Sequence, residues 1–163
     1  MNAPTLTPDD IAADLTDDGD TFDLCDGRTL LLRIESDDAS PLDDADWFGA
    51  VSPIDTWRDS RAPRPAGFDG RARKLRPRDG VYWWQPPADV PDETIPAMER
   101  SLLDLLDYGY SSVGVILKET VEDSRGNAHS VTVDAAWIGG VEPFPDPDYL
   151  ATLVADLVAE LLP

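Results

Sequence analysis

Apolar residues recur with a period of two in some stretches of this chain and at three-to-four spacing in others, and the changeovers mark its elements. "TPDDIAADL" offers Thr7 as an N-cap, Pro8 at the first helical position and acids in the first turn, which predicts a short helix from about Pro8 to Leu15. In "TFDLCDGRTLLLRIE" two strand-like runs flank Asp26-Gly27, a pair suited to a tight two-residue turn, so residues 21–25 and 28–35 form a hairpin. "WFGAV" at 47–51 and "VYWWQ" at 81–85 read as further strands. An extended backbone sends Val81 and Trp83 to one face of the second and Tyr82 and Trp84 to the other. One tryptophan is then core, and its neighbour covers an edge, a loop or a partner.

Past Pro96 the spacing becomes helical, with Met98, Leu102, Leu105 and Leu106 on one face, Glu99, Arg100, Asp104 and Asp107 on the other, and Gly109 as the stop. Two strands follow around "DSRGN": Val113, Val115 and Leu117 alternate on the first, and Val131, Val133, Ala135 and Trp137 on the second. A last helix is capped by Asp146 or Asp148 and carries an apolar stripe of Leu150, Leu153, Val154, Leu157, Val158 and Leu161. Strands that arrive as hairpins rather than alternating with helices predict an α+β fold. The expected form is a mainly antiparallel sheet of about six strands, two amphipathic helices on one face and a short N-terminal helix. At 163 residues the expectation is a single compact domain, 1–163.

Charge changes this picture in one place. The chain carries a formal net charge of −20, with 26 Asp to 7 Glu and 11 Arg to 2 Lys. Residues 1–56 are net −13 and residues 79–163 are net −13, but residues 57–78 are net +6. Pro63, Pro65 and Pro77 remove donors there and Gly67 and Gly70 favour turns, so 57–78 is expected to be a basic Pro/Gly-rich loop within the domain. Clustered arginine beside Trp83 and Trp84 has the look of a nucleic-acid contact. The surrounding acidic field repels a polyanion beyond a Debye length of ~8 Å, which favours arginines laid across the protein's own aspartates instead. The aspartate excess itself has two compositional explanations, a GC-rich genome and a salt-adapted cytoplasm.

Catalytic chemistry finds little support. The single His129 has no serine in a strand-to-helix elbow near it, and Cys25, the only cysteine, sits among acids that raise a thiol pKa. "TDDGDTFD" and "ESDDASPLDDAD" are rich in oxygen ligands without matching a calcium loop, and no phosphate-cradling glycine motif is present. The expectation is a protein that is not an enzyme and that uses no cofactor and no metal. No apolar run approaches the ~20 residues of a membrane span, and the start of the chain lacks a basic segment followed by an apolar one. A cytoplasmic protein without membrane contact is expected.

At "DTFDLCDGRTLLLRIESDD", "WWQPP" and "IGGVE…YLATLVADLVAELL" the chain resembles uncharacterised small acidic proteins of mycobacteria and related actinobacteria and of their phages. The resemblance spans most of the length and carries over no catalytic or binding residue. It implies a GC-rich actinobacterial or phage source, which weakens the salt-adaptation explanation and admits a mobile-element role.

Two kinds of function follow. In the first, the chain is an inhibitor of DNA-mimic type that presents carboxylates, Asp37, Asp38, Asp43, Asp44 and Asp46 among them, to the basic cleft of a nucleic-acid-acting enzyme. In the second it is an adaptor or assembly module that binds a protein partner through Arg71, Arg73, Arg76, Arg78, Trp83 and Trp84, with Trp57 beside them. Either partner is a protein. Direct nucleic-acid binding is disfavoured.

Overall fold

The computed structural model describes residues 6–38, 48–54 and 62–162. Its elements run α1 (Pro8–Ala12), β1 (Thr21–Asp23), β2 (Arg28–Ser36), β3 (Ala50–Pro53), β4 (Arg73–Leu75), β5 (Tyr82–Gln85), α2 (Ile95–Tyr108), β6 (Ser111–Glu122), β7 (Ala128–Val141) and α3 (Pro147–Leu161). The class is α+β with antiparallel sheets, as the hairpin order predicts. The expected sheet of about six strands is instead two sheets, one of four strands ordered β1-β2-β6-β7 and one of three ordered β3-β5-β4. They belong to two compact units, Met1–Asp37 with Ser111–Pro163, and Asp38–Tyr110. The second unit is thus an insertion in the chain between β2 and β6.

In the first unit, β2 and β6 pair antiparallel from Arg28↔Glu119 to Ser36↔Ser111. That register sets Leu30 opposite Leu117 and Leu32 opposite Val115, all buried, on the face covered by α3. The six stripe residues of α3 are all buried there, and Ile11, Ala12 and Leu15 at the other helix join the same cluster. α1 is only five residues long, yet its start is well made: Thr7 Oγ1 accepts from the Asp10 amide, and the Asp10 carboxylate accepts from the Thr7 amide at 2.9 Å. An aspartate here completes the reciprocal cap usually made by glutamate. Of the two capping candidates for α3, it is Asp146 whose side chain accepts from the Asp148 amide, at 2.9 Å.

Both hairpins of this unit use one loop design. At 24–28 the Leu24 amide donates to Arg28 O at 2.8 Å and the Gly27 amide to Leu24 O at 3.2 Å; at 123–127 the Asp123 amide donates to Asn127 O at 2.9 Å and the Gly126 amide to Asp123 O at 3.0 Å. Gly27 and Gly126 have φ of 86° and 79°, and no non-glycine residue among those described has positive φ. These are three-residue loops closed by a glycine in the left-handed region, so the two-residue turn expected at Asp26-Gly27 is one residue longer. The asparagine-like positive φ that a two-residue turn asks of Asp26 is thereby avoided.

β7 forms an edge of the sheet, and its alternation breaks. Leu117 pairs with Asp134 but Lys118 with Thr132, so Val133 is the extra residue of a bulge. The phase of the strand slips at that point, and the expected common face of Val131, Val133, Ala135 and Trp137 is not formed. Trp137 lies opposite Gly114 and Ala135 opposite Ile116, while Val131 lies opposite Glu119.

The second unit has its own core of Phe48, Leu75, Trp84, Ile95, Leu102, Leu105 and Tyr110. α2 therefore packs its predicted apolar face in this unit, and the two long helices do not share one sheet. It starts at Ile95, with Pro96 inside its first turn, and ends at Gly109, φ 73°. β3 falls three residues later than the sequence pattern predicts. β4 lies within the stretch read as loop, because a three-residue strand that begins Arg73-Lys74 leaves only Leu75 as a strong apolar signal. β5 is the central strand rather than an edge: β3 pairs with it from Ala50↔Gln85 to Pro53↔Tyr82, and β4 from Arg73↔Trp84 to Leu75↔Tyr82.

Candidate functional site

The negative charge is unevenly shared. The first unit holds 4 basic and 19 acidic side chains, net −15, and the second 9 and 14, net −5. Many of the first unit's acids are aspartates placed where a short side chain can reach a nearby backbone donor. Asp20 accepts from the amides of Thr16 and Asp17 at 2.9 and 2.8 Å, Asp18 from the amide of Ile34 at 2.8 Å, and Asp134 from that of Ala135 at 2.9 Å. Asp26 accepts from the Arg28 amide and holds its guanidinium at 2.6 Å. Asp123 gathers the most donors: the amides of Arg125 and Asn127 at 2.8 and 2.9 Å, the Asn127 side chain at 3.1 Å, and His129 Nε2 at 3.2 Å.

At Asp10, Asp20, Asp26 and Asp123 the donors favour the ionised form. The backbone and side chain of Asn127 lead in lowering Asp123, to about 2. Asp10 is lowered by the Thr7 amide, Asp20 by the Asp17 and Thr16 amides, and Asp26 first by the Arg28 side chain. The result is four carboxylates, Asp10 and Asp26 exposed and Asp20 and Asp123 half-buried, that hold their charge and are fixed in direction largely by backbone donors. Asp18 and Asp20 in "TDDGDTFD" spend oxygens on amides rather than converging on a cation, and among the described residues no three carboxylate, imidazole or thiol groups are gathered as metal ligands.

Of the acids singled out in the sequence, Asp37 is half-buried at the end of the four-stranded sheet. Its Oδ2 accepts from Gly140 N at 2.9 Å and Ser112 Oγ at 3.2 Å, and a Cβ on Gly139 would come within 2.7 Å of it. Asp37 thus ties β2, β6 and β7 together. Asp38 is exposed, and Asp43, Asp44 and Asp46 lie outside the described residues, as does Trp57. The glycine pair at 139–140 was the available signal, since glycine inside a strand marks a close approach.

The aromatic and basic candidates are dispersed. Trp84 is fully buried and donates from Nε1 to Phe48 O at 2.6 Å, so it is core. Trp83, half-buried, has Lys74 Nζ 5.1 Å from its ring centroid, and its Nε1 has no hydrogen-bond partner among the described residues. Arg71 is turned inward: its guanidinium donates to Val90 O, to Ala88 O at 3.2 Å and to Pro87 O at 3.4 Å, with Asp92 Oδ1 3.1 Å from Nε. It binds the 87–92 segment through carbonyls more than through acids. Arg73 donates to Arg71 O at 3.1 Å. Arg78 lies over the Tyr108 ring at 4.5 Å and donates to its hydroxyl, while its own amide donates to Asp107 at 2.6 Å. Arg73, Arg76 and Arg78 are exposed.

A feature absent from the sequence reading lies in the first unit. A cavity of about 430 Å³ is lined by Ala12, Leu15, Thr16, Asp17, Ile34, Leu150, Ala151 and the proline-rich run Pro143, Phe144, Pro145 and Pro147. Phe144 beside it is 64% exposed.

Fold and surface together define an acidic α+β protein of two antiparallel sheets, with most of its charge on one compact unit. Comparison with protein-family models, with curated proteins and with solved structures finds no match. No helix among the described residues is long and apolar enough to cross a membrane.

Proposed function

We propose that this chain is a non-enzymatic acidic binding protein of phage or mobile-element type, which occupies the basic cleft of a nucleic-acid-acting host enzyme in the manner of a DNA mimic. The observation that carries this reading is the net charge of −15 on the first unit, expressed partly through carboxylates that backbone donors hold in place. Fixed anions fit arginine and lysine groups meant for phosphates without the entropy cost of ordering long side chains. The cap and turn aspartates of the first unit replace Asp37 as the contacting groups, because Asp37 is engaged within its own sheet. The test is capture of the tagged protein's partner from actinobacterial lysate at low and raised salt, followed by competition between this protein and DNA for the captured enzyme. Release by salt and displacement by DNA are expected. Affinity that does not change with salt, or simultaneous binding of DNA, overturns the proposal.

An adaptor is the second reading, favoured by one observation: Arg73, Arg76 and Arg78 are exposed in a unit that is only net −5, on the strand and loop that adjoin the half-buried ring of Trp83. Its contact would be Trp83 with the exposed Arg73, Arg76 and Arg78, without the buried Trp84. Loss of partner capture in Trp83→Ala, with capture intact in Asp26→Asn and Asp38→Asn, decides for it.

A further inference from the structure

We infer that the cavity of the first unit is an anchor pocket for one aromatic or long aliphatic side chain carried on a lysine- and arginine-rich segment of a protein partner. The inference rests on the proposed acidic-binding function and locates its apolar contact. A volume of about 430 Å³ lies in the range of cavities that hold ligands. Its wall is mostly apolar, formed by Ala12, Leu15, Ile34 and Leu150 with Pro143, Phe144, Pro145 and Pro147, while Thr16 and Asp17 supply its polar side and no lysine or arginine lines it.

The chemistry around that wall selects the occupant. Asp17 lines the cavity itself, and the exposed Asp14, Asp18, Glu142, Asp146 and Asp148 flank lining residues in the chain. Three of the six residues in "EPFPDP" are prolines without an N–H, so this wall offers carbonyl acceptors and few donors. A phosphate-bearing or carboxylate ligand meets repulsion and few donors, the Thr16 hydroxyl and the Thr16 and Asp17 amides already being given to Asp20. A segment rich in ammonium and guanidinium groups finds carboxylates and carbonyls, and its apolar residue has a cavity to enter. Phe144, 64% exposed, and Tyr149, 50% exposed, extend the apolar surface beyond the cavity, which suits a chain segment better than an isolated small cation.

Two short fluorescent peptides of lysine, arginine and glycine test this, identical except for a central Trp in one and Ala in the other. The Trp peptide is expected to bind the intact protein about tenfold or more tightly than its twin, the effect of burying one large apolar side chain. That advantage persists at raised salt and is lost in Phe144→Ala and in Ala151→Phe, which fills the cavity, while both variants still bind the Ala peptide. Methyl resonances of Ala12, Leu15 and Ile34 shift with the Trp peptide alone, in unaltered protein. Equal affinity for the two peptides, or an advantage that survives both substitutions, overturns the pocket and leaves the acidic-surface function standing. A Trp peptide that binds without any salt dependence leaves the pocket and removes that function. Binding of neither peptide overturns both.

Discussion

Trp137 on the edge strand β7 lies across Gly114 of β6, so closely that a Cβ on Gly114 would stand 2.4 Å from indole Cδ2 and Cε3. The glycine is a seat for the ring. Gly114→Ala forces the indole away from the sheet, and a loss of about 1–3 kcal/mol is expected from the overpacking. Trp137→Ala in the same background should restore part of it, because the clash is then gone. Urea unfolding of the two single variants and the double variant measures this coupling, and additive effects would refute it.

In the second unit the matching anchor is Trp84. Trp84→Phe keeps most of the ring but leaves Phe48 O without its donor in the core, at a cost of about 1–3 kcal/mol. The same change at Trp83, whose Nε1 has no partner among the described residues, should cost clearly less. Thermal melts of the two variants compare the sites directly.

Arg71 and Arg73 stand two residues apart with different roles. Arg71→Lys replaces a planar fork that reaches three carbonyls by a single ammonium, and about 1–2 kcal/mol should be lost. Arg73→Lys, on an exposed strand position, should stay within about 0.5 kcal/mol of the parent. Faster amide exchange around residues 87–92 in the Arg71 variant alone is the local signature.

Acid should protonate the fixed aspartates later than ordinary carboxylates. Their folded-state pKa values are lowered, so the stability they contribute is present above the unfolded value of about 4 and is lost as pH falls through the folded one. For Asp123 that window runs from about 4 down to about 2. A carbon-detected titration should place the Asp123 midpoint near the lower figure, with amide protection at Asn127 disappearing over the same range. In Asp123→Ala the acid-dependent loss at Asn127 should be absent.

The helices were the most readable part of the sequence. The stripe of α3 from Leu150 to Leu161 is buried residue for residue, because a helix long enough to repeat its pattern several times averages out local exceptions. Thr7, Pro8 and Gly109 marked helix ends by backbone chemistry that does not depend on tertiary context. Strand position along the chain was readable at β2, β5 and β6, but sheet membership was not. Pairing of β2 with β6 is decided by residues far apart in the chain, and nothing local to either states it. The bulge at Val133 was hidden for the same reason, since it exists only relative to a partner strand.

The candidate site was legible as charge and illegible as geometry. That Trp84 rather than Trp83 is core depends on which side of β5 the second unit's helix covers. Asp37 and Arg71 looked like surface groups because side-chain type is visible in a sequence and hydrogen-bond partners are not. The aspartate-over-glutamate excess has a physical use at caps and turns, where the shorter side chain reaches its own backbone.

The pairing of Ser36 with Ser111 has a kinetic meaning. While residues 38–110 are unfolded, closing that pair means joining the ends of a long flexible loop. Once that insert has folded on itself the loop is effectively shorter, and the entropy lost on closure falls with it. The β1–β2 and β6–β7 hairpins need no such wait. The order of assembly is therefore biased by connectivity: hairpins first, insert next, and the β2–β6 seam that completes the larger sheet last.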